Sequence, residues 1–137
     1  MTILIIDGQG GRVGAQLVQA LRKAGIASPH RLLAVGTNTM ATAAMLHAGA
    51  DQGATGENPV SVACKEADVV CGPMGILLAD AMLGEITPDM VLSIGRCRAT
   101  KVLLPMDRCG AIIAGMEPMP LARLVEEAAA QIAGMIQ

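Results

Sequence analysis

The chain has 137 residues, of which 53% are apolar and 16% charged, with a formal net charge of −2 and no Phe, Tyr or Trp. This length predicts one domain, residues 1–137, and the absence of a basic excess and of aromatic stacking groups argues against nucleic acid as a partner. No apolar run is long enough to cross a bilayer, which argues against a membrane protein.

The first predicted element is a short apolar strand that ends in a glycine-rich turn. Residues 3–6 are Ile-Leu-Ile-Ile, and the sequence Asp-Gly-Gln-Gly-Gly-Arg-Val-Gly follows at positions 7–14. Apolar residues at helical spacing then continue to Gly25. Glycine lets the backbone turn sharply and approach a bound group closely, and the first N–H groups of a helix favour an anion such as a phosphate. The stretch therefore predicts a nucleotide site.

Strands and helices are predicted to alternate through the rest of the chain. Further strands are expected at residues 31–35, 52–55 (weakly), 68–71, 101–105 and 111–115. Helices are expected at residues 40–47, from an Asn58 N-cap to about residue 67, at 76–83, after the Thr87-Pro88 pair, and from about residue 121 to the end.

This alternation predicts an α/β fold: a Rossmann-like three-layer sandwich with a mostly parallel sheet and helices on both faces. Ligands of such folds bind beyond the carboxyl ends of the strands. Five polar, glycine-rich stretches are expected at that edge, namely residues 8–12, 37–39, 56–58, 72–75 and 107–109.

The glycine-rich turn resembles a loop of a known enzyme family. The sequence at positions 8–14, followed by Gln16-Leu17-Val18, resembles the dinucleotide loop of dihydrodipicolinate reductases. This resemblance implies that Arg12 reaches a cofactor phosphate. It covers about the first 20 residues, and the substrate domain of those enzymes has no counterpart here.

We therefore expect NAD or NADP as the cofactor. Its expected contacts are Gly8, Gln9, Gly10, Gly11, Arg12, Val13, Thr37, Asn38, Gly72 and Pro73. An NAD site commonly has an acidic residue about 20 positions after the loop, at the end of the second strand, to bind the ribose. The sequence has Gly36-Thr37-Asn38-Thr39 there and no acid. The choice among NAD, NADP and a mononucleotide stays open.

Few reactive side chains are expected near this edge. The candidate contacts to a substrate or an anion are Asp7, Glu57, Asn58, Arg108 and Cys109. The favoured interpretation of Asp7 is an acceptor of backbone N–H bonds within its own turn, with metal or hydroxyl binding as the alternative. Glu57 is interpreted equally well as a ligand group or as a charge that complements a helix start.

Other candidates are weaker. Cys109 is more simply a buried thiol than a nucleophile, since no histidine is near it in sequence. Glu85 is placed outside the ligand edge and interpreted as structural. The spacing of cysteines and histidines matches no metal site.

Taken as a whole, the chain resembles a short bacterial family known as a domain of unknown function. The matching motifs include Ile6-Asp7-Gly8-Gln9-Gly10-Gly11, Gly36-Thr37-Asn38, Ala54-Thr55-Gly56-Glu57-Asn58 and Leu83-Gly84-Glu85-Ile86-Thr87-Pro88. The resemblance implies a Rossmann-like fold and no assigned activity.

The functional hypothesis is a cytoplasmic homo-oligomer that binds a nucleotide and acts as an oxidoreductase on a small metabolite. The alternative is a non-catalytic nucleotide-sensing or assembly module, and a third is a fold that has lost its ligand. An enzyme should present an exposed acid–base pair near the nicotinamide position. A fold without a ligand should fill the space above Gly10 with bulky side chains.

Overall fold

A computed structural model describes residues 1–106 and 110–136 of the chain. These residues form a five-stranded sheet in which all neighbouring strands are parallel, in the order β3-β2-β1-β4-β5. The strands are β1 (Thr2–Asp7), β2 (Arg31–Gly36), β3 (Gln52–Thr55), β4 (Val69–Pro73) and β5 (Thr100–Leu104). The predicted α/β class and parallel sheet are confirmed.

Within the described residues, five α-helices and one short 3₁₀ helix cover the sheet. The α-helices are α1 (Arg12–Lys23), α2 (Thr39–Ala48), α3 (Glu57–Glu66), α4 (Pro88–Arg96) and α5 (Leu121–Ile136), and the 3₁₀ helix is Met74–Leu77. Parallel crossovers are almost always right-handed, so the helices change face where the direction of strand addition reverses. That reversal occurs after β3, whose successor β4 pairs on the other side of β1.

The two faces of the sheet have separate apolar cores, as a three-layer sandwich requires. One core joins alternate residues of the central strands to α1, Met45 of α2, and α5. The other joins the intervening strand residues to α3, α4 and the buried side chains of Ile76 and Ile86. Strands β1 and β4 are almost wholly buried, which agrees with their unbroken apolar sequence.

The predicted helix at residues 76–83 is wrong. The chain forms the 3₁₀ helix Met74–Leu77 and then a series of turns, in which Asp80, Met82, Leu83 and Gly84 all have positive φ. An apolar sequence alone does not distinguish a helix from a buried turn. Burial of Ile76 and Ile86 holds this segment against the sheet in a non-helical path.

Two other local predictions are wrong. Residues 111–115 form no strand, and Ile112 within them is 90% exposed, so this apolar run does not pair with the free edge of β5. Asn58 is not an N-cap, because α3 starts two residues earlier than expected, at Glu57, and its N-cap residue is Gly56. The predicted cap at Thr87 is confirmed, since its hydroxyl accepts a hydrogen bond from the Met90 N–H at 3.2 Å.

In the parts of the chain that the structure describes, none of the helices has both the length and the apolar character needed to cross a bilayer.

Candidate functional site

Residues 8–14, which comprise the turn after β1 and the first three residues of α1, have a tight and specific backbone path. The Gly11 N–H donates to the Gly8 carbonyl at 2.9 Å, and Gly11 is the N-cap residue of α1 with a φ of 72°. A Cβ atom on Gly11 would lie 2.7 Å from the Cα atom of Ala41 in α2. Glycine is required at this position both for its backbone conformation and for the close packing of α2. We call residues 8–14 the glycine loop.

Asp7 lies beneath the glycine loop and is only 4% exposed. Its carboxylate accepts the Gly8 N–H at 2.8 Å and the Gly14 N–H at 2.7 Å. Burial raises the pKa of Asp7, while the backbone N–H groups of Gly14, Gly8 and Val13 act to lower it. The interpretation of Asp7 as an acceptor of N–H bonds in its own turn is confirmed.

The glycine loop is open at Gly10 and Arg12, whereas Thr37, Met82 and Glu85 fill the space beside Gly8. A Cβ atom on Gly10 would meet no atom within 4 Å, and the Arg12 side chain at the start of α1 is exposed. Within residues 1–106 and 110–136, the N–H groups of Gly10 and Arg12 donate no hydrogen bond. Two free N–H groups and a guanidinium are suited to bind an anion.

The loop after β2 lies beside the glycine loop. The Thr37 N–H donates to the Asp7 carbonyl at 3.0 Å, and Asn38 Nδ2 donates to the Gln9 carbonyl at 2.9 Å. Asn38 is also the N-cap of α2, since its Oδ1 accepts the Ala41 N–H at 2.9 Å. The structure therefore brings Thr37 and Asn38 together with the glycine loop.

Glu85 lies at this same edge, so the prediction that placed it elsewhere is wrong. Its Oε1 accepts the Gln9 N–H at 2.8 Å, the Thr37 hydroxyl at 2.5 Å and Asn38 Nδ2 at 2.9 Å. The Thr37 hydroxyl and the Gln9 N–H, ahead of the Asn38 amide, hold the pKa of Glu85 below its usual value, so the carboxylate is ionised at neutral pH. A single carboxylate thus joins the loops that follow β1 and β2.

Glu57 and Asn58 lie at the neighbouring end of α3. The Thr87 hydroxyl donates to Glu57 Oε1, so this carboxylate links α3 to the start of α4. Both Glu57 and Asn58 are exposed, and Asn58 makes no capping bond in α3.

Gly72 and Pro73 are the last two residues of β4 and both are buried. They were expected to lie in a loop after the strand, but the strand ends two residues later than expected, at Pro73. A Cβ atom on Gly72 would lie 2.3 Å from the Ile6 carbonyl oxygen, which accounts for glycine at this position by packing.

An apolar cavity of about 370 Å³ lies near the carboxyl ends of β4 and β5. Its lining includes Met74, Met106, Leu121 and Leu124. Glu117 is the acidic residue among those that line it. No residue of the glycine loop lines this cavity. The candidate residues Arg108 and Cys109 lie outside the residues that the structure describes.

Glu85 is the site residue that sequence reasoning missed. The sequence contained one signal. Residues 36–39 lack the acidic residue expected after β2, and this absence indicates that an acidic residue from another part of the chain takes that position. The helix predicted at residues 76–83 hid this relationship, since it directed Glu85 away from the ligand edge.

Comparisons with known proteins identify the family of the chain. No curated protein matches the chain. One solved structure that matches is a dodecameric FMN-dependent UbiX-like decarboxylase from Escherichia coli O157:H7, which is 14% identical over 99% of this chain and 94% of that one, with a TM-score of 0.45. The sequence-family model of DUF3842, a domain of unknown function, matches residues 2–137. The chain therefore belongs to the DUF3842 family.

Proposed function

We propose that this protein binds a nucleotide and that the favoured ligand is NAD or NADP, with its diphosphate against the glycine loop. The observation that carries the proposal is the open face of Gly10 at the carboxyl end of β1. Strand order reverses between β1 and β4, and α/β proteins bind ligands in the crevice at such a point.

The charges of the loop support an anionic ligand. The carboxylates of Asp7 and Glu85 are engaged with the N–H groups of Gly8, Gly14 and Gln9. The Arg12 side chain is exposed, and the N–H groups of Gly10 and Arg12 have no partner among the described residues. A diphosphate on the outer face would receive hydrogen bonds from Gly10 and Arg12 at the positive end of α1.

The apolar cavity near the ends of β4 and β5 is large enough to hold a ring system. Its volume of about 370 Å³ and its Met and Leu lining suit a flat heterocycle such as a nicotinamide or a flavin. Methionine provides an adaptable apolar surface in a chain that has no aromatic residues. The two ends of a dinucleotide would then lie on the same edge of the sheet.

A specific observation favours a nucleotide-sensing module over an oxidoreductase. Among the acidic residues of the site, Asp7, Glu57 and Glu85 each accept a hydrogen bond from another part of the protein, and Glu117 lines the cavity. Within the described residues the cavity is lined mostly by apolar side chains, and no histidine lines it. This arrangement provides groups that can bind a ligand and few side chains that can transfer a proton.

Self-association is part of the proposal. Several large apolar side chains are exposed, and Leu83, beside Glu85 in the chain, is 99% exposed. Exposed apolar surface of this kind is commonly covered by a partner. A second copy that covers Leu83 would lie close to the nucleotide, and binding could then change the oligomeric state.

Thermal melting followed by circular dichroism tests the proposal, since the chain has no Trp or Tyr for fluorescence. NAD or NADP at about a hundred times its dissociation constant should raise the unfolding free energy by about 2.7 kcal/mol. Arg12→Ala should weaken binding by about tenfold without changing the stability of the free protein, because Arg12 is exposed.

Arg123→Ala, on the exposed side of α5, is the matched control and should bind as the wild type does. No change in melting temperature with either dinucleotide at millimolar concentration would overturn the proposal. Sedimentation velocity with and without NAD then separates the two candidate functions, because a sensor changes its oligomeric state and an enzyme need not.

A further inference from the structure

Glu85 takes the place that an acidic residue at the end of β2 would have. NAD sites of this fold commonly use such an acid to bind the hydroxyl groups of the adenine ribose. Here residues 36–39 contain none, but Glu85 reaches Thr37 and Asn38 from 48 and 47 positions further along the chain. The carboxylate therefore lies where β1 and β2 end side by side, with Asp7 paired to Gly36.

The segment that carries Glu85, residues 78–86, is held in a defined position. The Asp80 N–H donates to the Ile86 carbonyl at 2.7 Å, and the Ile86 side chain is fully buried. Directly after the segment, Thr87 bonds to Glu57 of α3. A carboxylate fixed at both ends of its loop in this way is preorganised, and it costs little conformational entropy to use it in binding.

The hydrogen bonds of Glu85 leave one of its oxygens free. Oε1 accepts all three bonds, from Gln9, Thr37 and Asn38, and no group among the described residues donates to Oε2. An ionised carboxylate is an acceptor only, with about four lone-pair positions on its two oxygens. Oε2 can therefore accept hydrogen bonds from hydroxyl groups of a ligand.

We propose that Glu85 binds the 2′ and 3′ hydroxyl groups of the adenine ribose, so that the ligand is a nucleotide with an unphosphorylated ribose, NAD rather than NADP. The inference rests on the proposed nucleotide site at the glycine loop. It follows from charge, because a 2′-phosphate would face the ionised carboxylate, and like charges at close range repel. Arg31, which could neutralise such a phosphate, starts β2 at the opposite edge of the sheet and pairs with Thr2.

The competing interpretation is that Glu85 only anchors its own loop. Both interpretations explain the bonds to Gln9 and Thr37, but they differ in what the free oxygen does. An anchor would affect stability and affect NAD and NADP equally. A ribose-binding carboxylate would change the ratio of the two affinities.

The test is calorimetric titration of the full-length wild type, Glu85→Gln and Thr87→Val with NAD and with NADP. We expect the wild type to bind NAD at least about tenfold more tightly than NADP. Glu85→Gln keeps an oxygen for the Gln9 N–H but removes the charge. It should weaken NAD binding by about tenfold and bring the two affinities close to each other.

Thr87→Val is the matched control, because it loosens the end of the same loop by removing the bond to Glu57 and the cap of α4. It should lower the melting temperature and leave the NAD-to-NADP ratio unchanged. A measurement on the wild type that needs no variant is the comparison of ADP with 2′-deoxy-ADP, where we expect a preference of about fivefold for ADP.

The outcomes separate this inference from the proposal on which it rests. If the wild type binds neither dinucleotide, the nucleotide site itself is wrong, and the role of Glu85 with it. If the wild type binds NADP as tightly as NAD, or if Glu85→Gln and Thr87→Val change the ratio equally, the nucleotide site stands and the role of Glu85 is wrong.

Discussion

Glu85 Oε1 accepts the Thr37 hydroxyl at 2.5 Å across 48 positions of sequence, and this contact joins the last turn before α4 to the end of β2. The same oxygen accepts the Gln9 N–H, so it also reaches the glycine loop. The contact links the two parts of the proposed site that the sequence leaves far apart. It makes Glu85 the residue that holds the loops after β1 and β2 together.

Replacing Glu85 by Ala should destabilise the protein. The change removes the acceptor of three hydrogen bonds, but Gln9 is exposed and Thr37 is half-buried, so water can replace part of what is lost. We expect a loss of about 1 kcal/mol and a fall in melting temperature of about 3 °C. Glu126→Ala on the exposed side of α5 is the control, and an equal effect of the two variants in thermal melts would contradict the prediction.

The contribution of Glu85 to stability should depend on pH. Its hydrogen bonds lower its pKa in the folded protein below the ordinary value of 4.5. The stabilisation is therefore complete above pH 4.5 and is lost as the pH falls through the lowered pKa. Burial and, to a smaller extent, the charge of Glu85 raise the pKa of Asp7, so Asp7 contributes to the pH dependence in the opposite sense.

Urea unfolding of wild type and Glu85→Gln between about pH 7 and about pH 3 measures this difference. The stability advantage of the wild type should be constant down to about pH 5 and shrink below it. An advantage that grows as the pH falls would contradict the assignment of a lowered pKa to Glu85.

Gly11→Ala should lower the stability of the fold, whereas Gly10→Ala should lower the affinity for nucleotide. Gly11 has a φ of 72° and its Cβ would lie 2.7 Å from the backbone of Ala41, whereas a Cβ on Gly10 has free space. Gly11→Ala should cost about 2–4 kcal/mol or prevent folding, because the backbone of α2 would have to move. Gly10→Ala should fold with a stability within about 1 kcal/mol of the wild type and bind nucleotide less tightly. Comparable unfolding midpoints for the two variants would argue against the loop geometry described above.

The thiols of Cys64 and Cys71 should resist alkylation in the folded protein. Both are buried, and burial raises the pKa of each thiol to about 12, with the neighbouring Cys97 adding to the effect on Cys64. The thiolate is the reactive form, so iodoacetamide at about pH 8 should leave both unmodified for hours. Peptide mapping by mass spectrometry, with a sample alkylated in denaturant as the control, measures this. Rapid modification of Cys71 in the folded protein would show that its strand is accessible.

Local sequence was sufficient for much of the fold. The unbroken apolar strands, the glycine loop and the Thr87-Pro88 helix start each depend on neighbours within a few residues. Their periodicity and turn residues therefore predicted the parallel sheet and the ligand edge. The edge strand β3 was predicted weakly because all four of its residues are exposed and it has no apolar run.

The position of Glu85 could not be obtained from local sequence, and neither could the absence of a strand at residues 111–115. The first depends on the burial of Ile76 and Ile86 against the sheet, which bends the chain after β4 into turns with positive φ. The second depends on whether the path of the chain after β5 brings the run back to the free edge of β5. Periodicity and turn residues determined the scaffold, because they act over a few residues. Contacts across tens of residues determined which carboxylate joins the glycine loop, because only packing of the whole chain brings those groups together.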